Sequence, residues 1–128
     1  MVHGGQKPSP HEQKLIERIT KATAGLAGVT REVDGFGHNS FRVGKKSFVI
    51  IGSGEGAGSL SIKCDLTTQD ALIRGGRYVR TPYIGQHGWV TTMGNAKLDW
   101  AEIQELVEDA YRMTAPKKLL KADRPRGQ

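Results

Sequence analysis

The sequence has little cysteine, few aromatic residues and no long hydrophobic segment. Cys64 is the single cysteine, so an internal disulfide and a Cys-x-x-Cys metal motif are both excluded, and we expect a reducing, cytoplasmic location. No apolar run approaches the ~20 residues of a membrane span, and the N-terminal residues lack the hydrophobic core of a secretion signal. These absences indicate a soluble protein without a membrane partner, and 128 residues suffice for one domain with its own core.

What the sequence has in excess is glycine and positive charge. Its 17 glycines are typical of a chain with several tight turns. Nineteen Lys and Arg residues against thirteen Asp and Glu residues give a net charge of +6 and a pI near 9.7. This balance favours an anionic partner such as nucleic acid, although many basic proteins of this size are only well solvated.

Two strong helix-start signals lie near the two ends of the chain. Ser9-Pro10-His11-Glu12 offers an N-cap serine, a proline at the first helical position and a glutamate that completes a capping box. Asp99 and Glu102 stand in the same relation before a second stretch, in which apolar residues recur at helical spacing. The sequence therefore predicts a long first helix and a long last helix. A shorter helix is predicted to begin at Thr67 and to end at a glycine pair.

Five segments between the two long helices have the composition and alternation of strands. They are Thr30–Val33, Phe41–Val43, Ser47–Ile51, Leu60–Cys64 and Trp89–Met93. Short connections such as Gly44-Lys45 predict a meander and hence an antiparallel sheet. Alternation in the fourth segment places Cys64 on the core face and Lys63 on the opposite face. Residues 77–88 show no such pattern, and we interpret them as irregular.

These elements predict an α+β fold in which the last helix lies on an antiparallel β-sheet. We expect residues 1–8 to form a flexible N-terminal extension and residues 9–116 to form a single domain. Residues 117–128 are interpreted as a basic C-terminal tail without fixed structure, because five cations face one acidic residue there: Lys117, Lys118, Lys121, Arg124 and Arg126.

Two patterns resemble catalytic or cofactor motifs without meeting their requirements. The stretch 52–58 matches G-x-G-x-x-A, but a strand follows where pyrophosphate binding needs a helix N-terminus, so a hairpin loop is favoured. A second set combines a thiol, two imidazoles and a carboxylate: Cys64, His38, His87 and Asp65. A thiol on the core face is ordinarily inert, so we predict no catalytic residue, no metal ligand and no cofactor.

Seven basic residues lie on predicted turns, at a strand end and in the segment after the short helix: Arg42, Lys45, Lys46, Lys63, Arg74, Arg77 and Arg80. Phosphate groups are bound by long, flexible cations on protruding loops and sheet edges, with aromatic groups such as Tyr78 and Tyr83 nearby. The alternative interpretation is that these cations are dispersed around the molecule. We treat the seven residues as a candidate nucleic-acid-binding set.

Several spaced motifs resemble those of the MmcQ/YjbR family. They are His38-x-x-Phe41-x-Val43 with Lys46-x-Phe48, Leu60-Ser61-Ile62-Lys63-Cys64, Pro82-Tyr83-Ile84-Gly85-x-x-Gly88-Trp89-Val90, and Asp99-Trp100 leading to Ala110-Tyr111-Arg112. The resemblance extends from the first helix to about Lys118. It implies the frataxin-like (CyaY-like) fold, an antiparallel sheet with the first and last helices packed on one face.

Members of that family are described as DNA-binding through a double wing of two hairpins. The resemblance therefore implies a non-catalytic protein that binds the DNA phosphate backbone, with wings at Gly44-Lys45 and Gly52–Gly58 or at Tyr83–Gly88. The motif positions also include a polar and aromatic set that we expect to come together on the sheet: His38, Lys46, Lys63, Tyr83 and Trp89. That set leaves open a second function, in which a small ligand or substrate binds in a pocket.

Overall fold

The computed structural model describes residues 9–35, 37–52, 59–93 and 97–122. Its strands are β1 (Thr30–Val33), β2 (Asn39–Val43), β3 (Lys46–Gly52), β4 (Ser59–Ile62), β5 (Tyr78–Arg80) and β6 (Val90–Thr92). Its helices are α1 (Pro10–Thr23), α2 (Leu66–Arg74), α3 (Trp100–Thr114) and α4 (Lys117–Ala122), with one 3-10 turn at Gly85–His87. The strands form one antiparallel sheet in the order β1-β2-β3-β4-β6-β5, which confirms the predicted α+β class.

The helices begin at residues whose side chains accept free backbone donors. Ser9 Oγ accepts a hydrogen bond from the backbone N–H of Glu12 at 3.1 Å. At the start of α3, the Asp99 carboxylate accepts one from the backbone N–H of Glu102 at 3.1 Å, as predicted. Helix α2 begins earlier than predicted because Asp65, and not Thr67, is its cap. The Asp65 carboxylate accepts the N–H of Thr68 at 2.7 Å, and this hydrogen bond lowers the pKa of Asp65.

The hydrophobic core lies between one face of the sheet and the helices. Its fully buried members come from both layers: Phe41, Val49, Ile51, Leu60 and Ile62 from the strands, and Leu15, Ile19, Ile103 and Val107 from α1 and α3. Tyr111 of α3 meets the ring of Phe48 edge-on with centroids 5.9 Å apart, and its hydroxyl donates to the carbonyl of Ala27 at 2.6 Å. Leu72 of α2 also packs against this core. The first and last long helices therefore share one face of the sheet, as predicted.

A β-bulge interrupts the pairing of β2 with β3. Phe41 pairs with Val49, whereas Arg42 pairs with Ser47, so Phe48 is the extra residue. Because of this extra residue, Phe48 and Val49 both enter the core, and neither is accessible to solvent. The alternation resumes at Ser47, which lies on the face opposite the helices.

Two segments are more ordered than the sequence predicted. Residues Tyr78–Arg80, interpreted as irregular, form the edge strand β5 and pair with β6. Three residues are too few to show alternation, and the pairing is with a strand reached only after a nine-residue connection. The second segment is α4, where Leu119 and Leu120 pack against the core, so the basic tail is helical as far as Ala122. Residues 1–8 and 123–128 lie outside the described residues.

No helix in the described ranges has both the length and the apolar composition needed to cross a bilayer.

Candidate functional site

The strand register gives the sheet two distinct ends. We call one the lysine end; it contains residues 42–47, 63–65 and 81–89, where β2 turns into β3, β4 stops and β5 connects to β6. We call the other the carboxylate end; it contains residues 34–38, 74–78 and 99–102. The seven predicted cations divide between these two ends.

The β2–β3 turn carries two lysines at the lysine end. Gly44 and Lys45 have φ values of 58° and 73° and form a two-residue turn of the type I′ kind, which suits the twist of a hairpin. Lys45 and Lys46 are exposed, and Lys63 is half-buried at the end of β4. Among the described residues, none of these three lysines forms an ion pair.

Arg42 holds this turn from the face of the sheet that carries no described helix. Its guanidinium donates to Ser47 Oγ at 3.2 Å and to the carbonyl oxygen of Lys45, and it lies 4.0 Å from a carboxylate oxygen of Glu32. Arg42 therefore positions the turn as well as contributing charge.

Helix α4 brings further cations to the lysine end. A Cβ atom on Gly44 would lie 2.8 Å from the ring of Pro116, so α4 starts beside the β2–β3 turn. Lys117 and Lys118, the first residues of α4, are exposed. Sequence reasoning assigned these lysines to a tail, because the contact that places them joins residues far apart in the chain.

Arginines at the carboxylate end are paired. Arg77 donates to Glu102 at 3.1 Å and lies 3.9 Å from Asp99, and Arg74 lies 2.9 Å from Asp70 in the preceding turn of α2. These guanidinium groups face carboxylates that neutralise them locally.

Glu102 also accepts a hydrogen bond from the Tyr78 hydroxyl at 2.9 Å. Burial of the ring and this hydrogen bond to a carboxylate raise the pKa of Tyr78. Tyr78, although aromatic and near basic residues, is therefore part of the fold at the carboxylate end and is not an exposed stacking group.

Arg80 is the remaining member of the predicted basic set. It is exposed on the edge strand β5, and its aliphatic stem lies against Gly85, where an added Cβ would overlap it. The side chain therefore packs along the β5–β6 connection at the lysine end.

Across the face that lacks a described helix, side chains from five strands form one row at the lysine end. The strand register and the hydrogen bonds that extend it place in this row Arg42, Ser47, Lys63, Trp89 and Thr81. A second row is linked to it by hydroxyl hydrogen bonds of 2.8 Å, such as Thr81 to Thr91 and Thr91 to Ser61. This face is therefore polar and hydrogen-bonded rather than apolar.

The polar and aromatic set predicted to gather on the sheet does so only in part. Lys63 and Trp89 lie side by side on neighbouring strands, and Lys46 and Tyr83 lie at the same end. His38 is at the opposite end of β2, where its backbone N–H donates to the carboxylate of Asp34 at 2.9 Å. Five residues of β2 separate it from the lysine end by roughly 15 Å, so the expected convergence is wrong for His38.

A cavity of about 400 Å³ lies on the helix side of this end, lined by Lys63, Cys64, Asp65, Thr68, Leu106, Asp109, Arg112 and Met113. It shares one residue, Lys63, with the predicted pocket. Burial, with the nearby charges of Asp65 and Asp109, raises the pKa of the Cys64 thiol to about 12, so the thiol is protonated and a poor nucleophile. Within the described residues, no three His, Cys, Asp or Glu side chains cluster in a way that could hold a metal ion.

The family model of YjbR matches residues 24–113. The chain belongs to the YjbR family. The matched region contains all six strands, α2 and nearly all of α3, so Lys45, Lys46 and Lys63 of this YjbR chain lie within it, whereas α4 lies outside. The family assignment made from spaced motifs is thereby confirmed.

Among solved structures, this YjbR chain is similar to the crystal structure of the Deinococcus radiodurans protein DR2400, described as a DUF419 domain. The two share 15% sequence identity with a TM-score of 0.72, over 88% of this chain and 92% of that one. At this identity the likeness shows a common fold and nothing finer. No curated protein matches the chain.

Proposed function

We propose that this YjbR chain is a non-catalytic protein that binds the phosphate backbone of DNA at its lysine end. One observation carries the proposal. Lys45, Lys46 and Lys63 come from two parts of the sheet to the same end, and none of them has a carboxylate partner among the described residues. An unpaired ammonium group can replace its bound water with a phosphate without first breaking an ion pair. Each phosphate that is neutralised releases counterions.

The shape of this end supports contact with a backbone. The β2–β3 turn protrudes at one side and the β5–β6 connection at the other, with Lys63 of the intervening strand between them. These two connections are the Gly44-Lys45 hairpin and the Tyr83–Gly88 loop, two of the three candidate wings that the family resemblance implies. The connection between Gly52 and Ser59 leaves the sheet at the other end, and its residues 53–58 lie outside the described residues.

Arg74 and Arg77 are left out of the proposed interface. Their guanidinium groups would have to abandon Asp70 and Glu102 before they met a phosphate, which offsets the gain from the new contact. The proposed contacts are therefore the three lysines, whereas Arg42, which lies 4.0 Å from Glu32, holds the turn in place.

The test is the salt dependence of binding to a labelled DNA duplex of about 20 base pairs, measured by fluorescence anisotropy between ~50 and ~300 mM salt. Three phosphate contacts predict a slope of log affinity against log salt near −3. Replacing Lys45 and Lys46 with Gln should make that slope shallower by about 2. The matched control replaces Arg74 and Arg77 with Gln; it removes the same charge and should leave the slope unchanged.

Two results would contradict the proposal. One is the absence of duplex binding at ~50 mM salt, where backbone contacts are strongest. The other is an equal change of slope in the two double variants, because net charge rather than the lysine end would then determine binding. Thermal melting of each variant checks that the fold is intact.

A further inference from the structure

Tyr83 is the most exposed large hydrophobic side chain of the described residues, and its backbone is strained. Its side chain is 94% exposed, and its φ is +68°. The N–H of Ile84 donates to the carbonyl of Pro82 at 2.7 Å, which closes a three-residue γ-turn with Tyr83 at its centre. The positive-φ form of this turn is rare and unfavourable for a residue with a side chain. Glycine adopts a positive φ without this penalty, so tyrosine at this position lowers the stability of the fold.

Strain of this kind is confined to one end of the molecule. Among the described residues, the two non-glycine positions with positive φ are Lys45 and Tyr83, and both lie in connections at the lysine end. Backbone strain persists where the surrounding structure enforces it, and such sites are often functional. The two positions flank Lys63, which contributes the third lysine of the proposed interface.

The loop that carries Tyr83 is anchored to helix α2 by hydrogen bonds. The buried side chain of Gln69 donates to the carbonyl of Gly85 at 2.7 Å and to that of Trp89 at 2.9 Å. A 3-10 turn begins at Gly85, two residues after Tyr83, and Arg80 packs against Gly85. The ring is therefore held out into solvent by a fixed support, which reduces the entropy lost when the loop binds a partner.

We infer that Tyr83 stacks on an unpaired base, so that the lysine end binds single-stranded DNA more tightly than it binds duplex DNA. The inference rests on the proposed function, because the strand is held by phosphate contacts to Lys46 and Lys63. Three strand spacings of about 4.8 Å separate β3 from β5, so the lysines and the ring span roughly 14 Å, a distance that a few nucleotides cover. In a duplex the base faces are covered by neighbouring base pairs and offer the ring no stacking surface.

Stacking on an aromatic residue contributes about 10- to 100-fold in affinity per base and adds no charge. Tyr83→Ala should therefore weaken binding to an oligothymidylate strand of about 20 nucleotides by that factor while leaving the salt slope unchanged. Tyr83→Phe, which keeps the ring, should bind within about twofold of the parent protein. A duplex of equal length and an abasic strand, which has phosphates without bases, should bind both proteins equally.

The two proposals fail in different ways. If Tyr83→Ala binds oligothymidylate like the parent while the Lys45→Gln/Lys46→Gln variant shows the expected shallower salt slope, the stacking inference is overturned and the phosphate-binding function stands. If neither the single strand nor the duplex binds at ~50 mM salt, the phosphate-binding function is overturned. The stacking inference, which rests on that function, is then overturned as well.

Folding supplies an independent check on the same residue. Tyr83→Gly relieves the positive φ and should raise Tm by a few degrees while weakening single-strand binding as Tyr83→Ala does. A residue that is present only for stability would show the reverse, with a lower Tm for the glycine variant, and that result would overturn the inference.

Discussion

The two ends of the sheet use arginine and lysine in different ways. At the carboxylate end, Arg77 is held by Glu102 and Asp99, and the same glutamate accepts a hydrogen bond from Tyr78. At the lysine end, Lys45 and Lys46 project from a turn without an ion pair among the described residues. A basic residue marks a candidate phosphate contact only when the fold leaves its charge uncompensated, and sequence position alone does not reveal that.

The largest expected effect is a difference in the stability lost when each of two glycines is replaced with alanine. The two glycines have similar backbone conformations, and one lies at each end. Gly88 has φ +100°, and an added Cβ would overlap the carbonyl oxygen of Cys64; Gly76 has φ +88° and open space around it. Gly88→Ala should therefore destabilise the fold by roughly 3 kcal/mol or more, and Gly76→Ala by about 1 kcal/mol. Urea unfolding of both variants measures the difference, and equal costs would show that steric overlap at the lysine end has been overestimated.

The second effect concerns the thiol at the lysine end. Neighbouring cations would ordinarily activate a cysteine, but burial raises the pKa of Cys64 to about 12 and leaves the thiol protonated near pH 8. Alkylation of the native protein by iodoacetamide should be at least about a hundredfold slower than alkylation of the urea-unfolded chain. Mass spectrometry of timed samples gives both rates. Comparable rates would mean that Cys64 is accessible and a nucleophile after all.

Tyr78 gives a smaller effect that depends on pH. Because its pKa is raised in the fold, the unfolded chain loses this proton near pH 10 while the native protein keeps it. Its contribution to stability is complete below pH ~10 and falls as the pH rises further. Tyr78→Phe should cost about 1 kcal/mol at neutral pH, through the lost hydrogen bond to Glu102, and should remove this part of the alkaline decline. Parallel stability curves for the two proteins between pH 9 and ~11 would contradict this account.

The smallest effect is expected for the exposed pair on α2. Arg74 and Asp70 are both largely exposed, so solvent screens their attraction. Arg74→Ala should change the free energy of unfolding by no more than about 0.5 kcal/mol and leave DNA affinity within about twofold. A large loss of affinity in this variant would move the interface toward the carboxylate end and remove the contrast between the two ends.

Features encoded by neighbouring residues could be predicted from the sequence. The caps at Ser9 and Asp99, the strand segments and the burial of Cys64 all depend on local spacing and alternation. The strand β5 could not be predicted, because three residues carry no periodicity and its partner lies beyond a loop. Helix α4 was missed for a related reason: Leu119 packs against Gly28, which is remote in the chain.

The candidate site was harder to predict than the fold. The sequence places Lys45 and Lys46 at a hairpin turn and Lys63 on the outer face of a strand, but the pairing of Arg77 with Glu102 joins residues 25 positions apart. The separation of His38 from the lysine end follows from topology, because successive hairpins of a meander turn at alternate ends of the sheet. The same rule separates the Gly44-Lys45 turn from the connection after Gly52, so it could have been applied to the predicted strands.

The bulge at Phe48 has a consequence for how a change in the protein's interior would reach its surface. A bulge bends its strand and increases the local twist, so the direction of the β2–β3 turn depends on an extra residue whose ring is anchored against Tyr111. A smaller side chain at position 48 would loosen that anchor and let the hairpin tip swing relative to Pro116. The orientation of the ammonium groups therefore depends on two aromatic rings that are buried in the core.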